Sequence, residues 1–302
     1  FFFELPLRQE PEEIICEPKA YLNELMMDDN SGQPSAKEVF DTTPYTILVV
    51  DDNPDMTDFL KRTFEGYFKR IIIAGDGVEA LQLVRSHVPD IIVSDVMMPR
   101  MNGYKLCKTI KEDINISHIP VILLTARDDR QSQISGYKNG ADGYLSKPFE
   151  VEMLMELIRN RLKNREYTKK RYLNAGLIPT PEESTISLTD ETFLIKLNSI
   201  IQENIENSNL GIQFICQEVG LGRSSLYNKL KALTGMGANE YISKLRIEKA
   251  ITLISGTDMP FSEIAEKTGF TTPSYFSTAF KQYTGETPSQ YKERKKKGLA
   301  GK

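Results

Sequence analysis

The 302-residue sequence predicts two unlike domains: an α/β domain on a five-stranded parallel sheet, then an all-α domain. Three observations carry that expectation. Between residues 45 and 165, five short apolar runs alternate with five segments of helical spacing, the pattern of a parallel sheet covered on both faces. Beyond about residue 190 the strand-like runs stop, and every apolar segment has a helical period. This helical region also contains a pair of look-alike stretches: Gly220 and Gly269 are 49 residues apart, and Thr234-Gly235 and Thr284-Gly285 are 50 apart.

The elements follow in order. Thr46-Ile47-Leu48-Val49-Val50 is the first strand, ending in Asp51-Asp52, and Asp55 to Tyr67 has helical spacing through Met56, Phe59, Leu60 and Phe64. Ile71–Ala74 is the second strand and Val78–Val88 the second helix. Residues 89–99 form an apolar run between two prolines that ends on Asp95, the third strand, and a helix follows around Tyr104–Lys111. Pro120–Thr125 is the fourth strand, Gln131–Lys138 a weak helix, Gly143–Ser146 the fifth strand and Val151–Arg165 the last helix of the α/β domain, which spans 45–165. Residues 1–7 read as a lone strand and 8–44, polar with Pro and acidic clusters, as a linker. A second linker is expected at 166–190, although residues 163–171 can extend the last helix. Cap candidates in Ser187–Asp190 precede a helix at Phe193–Asn207, the all-α domain covers 191–297, and 298–302 is a tail.

Composition narrows the function classes. The hydrophobic share of 40% and charged share of 26% are those of a globular protein. There is neither a signal peptide nor an apolar run of the ~18–20 residues needed to span a bilayer, so no membrane contact is expected. Cys16, Cys107 and Cys216 are far apart, and the two histidines are His87 and His118, which argues against a zinc site or a disulfide framework. The net charge of −4 is uneven: residues 191–302 carry 15 basic and 11 acidic side chains, the remainder 23 and 31. A basic region behind an acidic one fits a nucleic-acid-binding module joined to something else.

A parallel sheet brings its strand ends to one rim, where open α/β sheets place their chemistry. Asp51-Asp52, Asp95 and Thr125 end strands one, three and four, and Lys147 lies just past the fifth. Three carboxylates crowded together disfavour one another's ionisation, and Mg²⁺ relieves that while bridging to phosphate. Lys147 supplies a point charge for a phosphoryl oxygen, Thr125 a hydroxyl, and Asp95 is the natural nucleophile, forming an acyl phosphate. A phosphatase of the dehalogenase type also uses a strand-end Asp with Mg²⁺, but needs a second Asp two residues on, where this chain has Met97.

These residues stand in Val49-Val50-Asp51-Asp52-Asn53, Ser94-Asp95-Val96-Met97-Met98-Pro99, Asn102-Gly103, Leu124-Thr125-Ala126 and Gly143-Tyr144-Leu145-Ser146-Lys147-Pro148-Phe149. By these motifs residues 45–165 resemble the flavodoxin-like receiver domain of two-component response regulators. The resemblance implies that Asp95 is the phosphoacceptor. It also implies that Asp51, Asp52, Asp95 and the backbone carbonyl of Met97 hold Mg²⁺. Thr125 and Lys147 would contact the phosphoryl group, and Tyr144 would be the aromatic that turns inward on activation. Asn102 and Gly143 stand where that family often has Asp.

In the all-α domain each repeat reads helix, Gly-containing turn, helix. The second helix carries an apolar pair four residues apart, Leu226 with Leu230 and Phe276 with Phe280. That is the layout of a helix-turn-helix, whose second helix enters the major groove. Residues 226–235, Leu245–Ala250, Ile264-Ala265-Glu266 with Gly269-Phe270, and Tyr275–Tyr291 give this domain a resemblance to the arabinose-regulator (AraC) type of DNA-binding domain. Two motifs would then sit on a linker helix at about Asn239–Ile254 and reach successive major-groove faces ~34 Å apart. The resemblance offers Arg223, Ser224, Ser225, Tyr227 and Asn228 from the first reader, and Ser274, Tyr275, Ser277 and Thr278 from the second. Lys229, Lys281 and the basic Lys292–Lys297 would hold phosphates.

Joined, the two resemblances imply a phosphorylation-regulated transcription regulator whose partners are DNA, a histidine kinase domain and, when phosphorylated, a second copy of the chain. The other reading makes the receiver a phosphate sink or interaction module, with DNA binding independent of it. Phe2–Leu7 resemble the last strand of a histidine-kinase ATP-binding domain, which implies a hybrid sensor kinase of the Bacteroides type as parent. That parent would be an enzyme anchored in the inner membrane, with this segment in the cytoplasm. His87 and His118 are not placed as kinase histidines.

Overall fold

The computed structural model describes residues 40–126, 140–174 and 187–300. The expected strand at 1–7, the linker up to residue 39, the weak helix at Gln131–Lys138 and the Pro179–Pro181 stretch lie outside the described residues.

Five strands, β1 (Thr46–Val50), β2 (Arg70–Ala74), β3 (Ile91–Asp95), β4 (Val121–Ala126) and β5 (Gly143–Lys147), form one parallel sheet in the order β2-β1-β3-β4-β5. The runs are continuously apolar because both faces are covered. On one face Ile47, Val49, Ile91, Val93 and Leu124 pack against Leu60 and Phe64 of α1 (Pro54–Phe64) and Leu154, Ile158 and Leu162 of α4 (Val151–Asn174). On the other, Leu48, Val50, Ile92 and Leu123 meet Ala80 and Val84 of α2 (Gly77–His87) and Leu106 and Ile110 of α3 (Gly103–Glu112). Each such aliphatic side chain gains about 1.5–3 kcal/mol from burial. Asn53, Asp76 and Asn102 start α1, α2 and α3 by accepting the amides of Asp55, Val78 with Glu79, and Lys105.

The helical domain comprises α5 (Leu188–Glu203), α6 (Ile212–Val219), α7 (Arg223–Thr234), α8 (Ala238–Gly256), α9 (Phe261–Lys267), α10 (Pro273–Thr284) and α11 (Pro288–Ala300). The pairs α6–α7 and α9–α10 are the two look-alike stretches. The long α8 joins them: its Tyr241, Ile242 and Leu245 belong to the first core, its Ile247, Ala250 and Ile254 to the second.

Of the two readings of residues 166–174, linker or extended helix, the structure has the second: α4 continues without a break past residue 171 to Asn174. Its Lys- and Arg-rich surface favours helix, and at its end Tyr172 is buried in the helical domain's first core beside Phe193 and Leu230. The next helix begins at Leu188 rather than Phe193, capped by Ser187 on the amide of Asp190. The last helix of the α/β domain therefore runs into the core of the next domain. Ile114, from the loop after α3, packs on the same core, and the Thr189 hydroxyl donates to the Lys111 carbonyl at 3.0 Å.

Candidate functional site

Strand register assembles the rim. Val50 pairs with Ser94, Asp95 with Leu124, Thr125 with Ser146 and Ala126 with Lys147, so the polar residues ending β1, β3, β4 and β5 converge. Carboxylate oxygens of Asp51, Asp52 and Asp95 all lie within 4.8 Å of one another. Asp51 and Asp95 are buried and Asp52 is exposed. The Lys147 ammonium bridges the buried pair, 2.9 Å from Asp51 Oδ2 and 2.8 Å from Asp95 Oδ1. The other Asp51 oxygen accepts the Asn53 amide at 2.9 Å.

The electrostatics suit a nucleophile that also binds metal. Burial raises the Asp95 pKa above the ordinary carboxylate value; the Lys147 hydrogen bond and charge offset this only in part, and the Asp51 charge adds to it. Lys147 moves the other way: burial lowers its pKa, but the hydrogen bonds and charges of Asp95 and Asp51 outweigh burial and raise it. It stays an ammonium. Thr125 is fully buried, yet its hydroxyl has no hydrogen-bond partner, an orphaned donor at the rim that an oxyanion would satisfy. Three clustered carboxylates, one open to solvent, fit an oxygen-preferring divalent cation. The Met97 side chain is 71% exposed, which leaves its backbone, not its thioether, for the role expected there. The Tyr144 ring packs against the core shared with α3, and its hydroxyl is buried.

The loop from Asp95 to α3 is held close. The Val96 amide donates to the Leu124 carbonyl, the Gly103 amide to the Val96 carbonyl, and a Cβ at Gly103 would lie 2.2 Å from the Asp95 carbonyl oxygen. Gly103→Ala is therefore expected to cost about 1–3 kcal/mol of stability and to displace the acceptor. A shift in the urea midpoint measures it; an unchanged midpoint would mean that the loop gives way freely.

In the helical domain the start of each second helix is presented outward. Arg223, Ser224, Tyr227 and Asn228 of α7 are exposed and Ser225 is half-buried; Ser274, Tyr275, Thr278 and Lys281 of α10 are exposed and Ser277 is half-buried. The Arg223 guanidinium reaches Gln213 at 3.3 Å, and the Thr278 hydroxyl is already spent on the Ser274 carbonyl.

Lys229 corrects the expectation. It is fully buried, so it holds no nucleic-acid phosphate in this arrangement. Its ammonium is paired with Asp190, donates to Ser117 Oγ at 2.8 Å and lies 5.1 Å from the Phe193 ring centre. The physical reason is helical phase: Lys229 lies three residues after Leu226 and next to Leu230, on the inward stripe. Ser117 belongs to the α/β domain, so this network ties the domains together. Burial raises the Asp190 pKa, but Lys229, Ser117 and Ser187 outweigh it and hold the carboxyl below its usual range. Sequence reasoning missed Ser117 and Asp190; the charged residue inside an apolar stripe was the signal that asked for a buried partner.

Comparison with known proteins covers both domains. Residues 47–159 match the response regulator receiver domain, and residues 215–294 match a helix-turn-helix domain. The chain is 41% identical over 249 residues to Histidine kinase P4 of Formosa agariphila, an alignment covering 82% of this chain but 18% of that protein. It is 36% identical over 165 residues to the response regulator MprA of Mycobacterium sp. strain KMS, covering 50% of this chain and 70% of that one. Among solved structures, the Francisella response regulator 1452 receiver domain is similar at 37% identity, over 40% of this chain and 98% of that one, with a TM-score of 0.37. A carboxylate rim bridged by Lys147, followed by paired helix-turn-helix units and joined to these matches, places the chain in the two-component response regulators, with a receiver domain and a helix-turn-helix domain.

Proposed function

We propose that this chain is a phosphorylation-controlled regulator of transcription in which Asp95 accepts a phosphoryl group from a histidine kinase. The observation that carries this reading is the single ammonium of Lys147 held between Asp51 and Asp95, with the unpartnered Thr125 hydroxyl on the same rim. A carboxylate oxygen of Asp95 attacks phosphorus as the P–N bond to the donor imidazole breaks, and the electron pair leaves with the imidazole nitrogen. The product is an aspartyl phosphate. Lys147 offsets the charge on one phosphoryl oxygen and Thr125 donates to another. A divalent cation bound by Asp51, Asp52, Asp95 and the Met97 carbonyl supplies further charge neutralisation. Tyr144, on β5, follows the occupancy of Thr125 and Lys147.

The output is DNA. Residues from the starts of α7 and α10 read bases, Lys281 and the basic C-terminal segment hold phosphates, and pairing of phosphorylated receivers doubles the contacts. The match to a histidine kinase over 82% of this chain supports a hybrid parent with the kinase on the same polypeptide, working where the DNA is, in the cytoplasm. Among the described residues no helix is long and apolar enough to cross a membrane.

One observation favours a second reading. The exposed starts of α7 and α10 are accessible with the domains docked, so DNA binding that ignores phosphorylation is sterically open. A DNA titration over a range of salt, with and without acetyl phosphate and Mg²⁺, separates the two. Control by Asp95 is expected to raise affinity at least about tenfold; superimposable curves would leave the receiver as a phosphate sink.

A further inference from the structure

Where the two domains meet lies a cavity of about 90 Å³. Its walls include Ser117 and His118 of the receiver, Arg161 and Arg165 of α4, and Asp190 of α5. A single water needs only ~15 Å³, so this space suits something larger.

Counting donors against acceptors identifies what it would hold. Three carboxylate oxygens of the wall are engaged. Asp190 Oδ1 receives Ser117 and Lys229, and its Oδ2 receives Ser187. Asp142 Oδ2 receives the Val121 amide and Lys111, each at 2.7 Å. Several wall nitrogens have no partner: His118 is 8% exposed, and its unpartnered Nδ1 donates in one tautomer of the neutral ring. Arg161, half-buried, has no ion pair or hydrogen bond among the described residues, and its Nε is sealed from solvent. Arg165 is paired with Asp90, its Nη1 3.1 Å from the carbonyl oxygen and 3.5 Å from Oδ1, but its Nε is unpartnered. Burial, then the charges of Arg165, Lys229 and Lys111, push the His118 pKa down to about 3. The cations around the ring outweigh the opposing carboxylate of Asp190. Unpartnered guanidinium N–H groups, with Arg161 lacking any ion pair among the described residues, call for a ligand that accepts hydrogen bonds and is negatively charged.

We propose that this cavity binds a tetrahedral oxyanion, held by Arg161, Arg165 and His118. The source is inorganic phosphate or sulfate, or the phosphate of a small ester. Both domains supply walls, so the anion binds the docked arrangement and stabilises it by mass action. The site is on the receiver's N-terminal strand edge, where β4 begins, and is separate from the Asp95 rim.

Calorimetric titration of the full chain without Mg²⁺ tests this, using sulfate, inorganic phosphate and glycerol phosphate at constant ionic strength. Saturable one-site binding is expected, with a rise in melting temperature. Arg161→Ala is expected to weaken it at least about tenfold, and His118→Leu to weaken it too. Lys170→Ala, an exposed charge on the same helix, is expected to leave it unchanged. Because Arg161 is half-buried, its variant keeps the test intact if His118→Leu fails to fold. Binding of the inorganic ions alone identifies a free oxyanion as the ligand; binding of the ester as well identifies a phosphorylated metabolite. No saturable binding, or binding that ignores Arg161→Ala (an adventitious ion only), overturns the proposal.

Discussion

Asp95→Asn is expected to abolish phosphoryl labelling by acetyl phosphate and, at the same time, to raise the melting temperature in Mg²⁺-free buffer. The first effect follows from chemistry: an amide oxygen is a poor nucleophile, and no other carboxylate on the rim is both buried and bridged to Asp51 by Lys147. The second follows from linkage. The folded-state pKa of Asp95 is raised, chiefly by burial. As pH climbs past the ordinary carboxylate value, the unfolded chain releases this proton first, so stability falls until pH passes the raised folded-state value. Above that value the wild type bears the cost, and the neutral amide removes it. Added Mg²⁺ reverses the order, because the ion binds and stabilises the wild type's carboxylates. Labelling retained in Asp95→Asn would overturn the acceptor assignment; a lower melting temperature without Mg²⁺ would show that the Lys147 contact outweighs burial.

The second large effect is expected at the interdomain ion pair. Asp190→Ala would leave the Lys229 ammonium in the interior with only Ser117 and the Phe193 ring beside it. Stranding one charge of a buried pair costs about 3–5 kcal/mol, whereas replacing the pair by apolar groups of similar volume is near neutral. Lys229→Met, which strands the Asp190 carboxylate, should destabilise as well, and the double variant Asp190→Ala/Lys229→Met should recover most of the loss. Urea unfolding followed on the helical domain reads all three. A single Asp190→Ala variant within ~1 kcal/mol of wild type would mean that water already reaches Lys229.

How far the sequence discloses these features differs by element. The sheet and the rim are readable because local pattern and global fold agree: the apolar runs are short, and those of β1 and β3 are buried and end in the rim carboxylates, Val50 before Asp51-Asp52 and Ser94 before Asp95. The twin helix-turn-helix is readable because its turns recur at Gly220 and Gly269, both with positive φ. Residues 166–174 were only half readable: the extension of the last helix was one of two readings, and it is the neighbouring core receiving Tyr172 that decides it. Lys229 was not readable, since its partners are 39 and 112 residues away in sequence and on different elements. Local periodicity assigns a face; it does not say which domain lies against it.

The unbroken α4 has a mechanical consequence. Its base follows four residues after Lys147, and its 24 residues end beneath the first helix-turn-helix, where the Lys244 ammonium donates to the Tyr172 carbonyl and Leu173 lies against Gly235. At ~1.5 Å per residue it is a rod about 36 Å long. Tilting such a rod by ~5° at its base sweeps the tip through roughly 3 Å, more than the ~1–2 Å helix shifts that reset subunit interfaces. The helix would thus act as a lever: a small tilt at the strand ends would become a larger displacement where Tyr172 and Leu173 meet the helical domain.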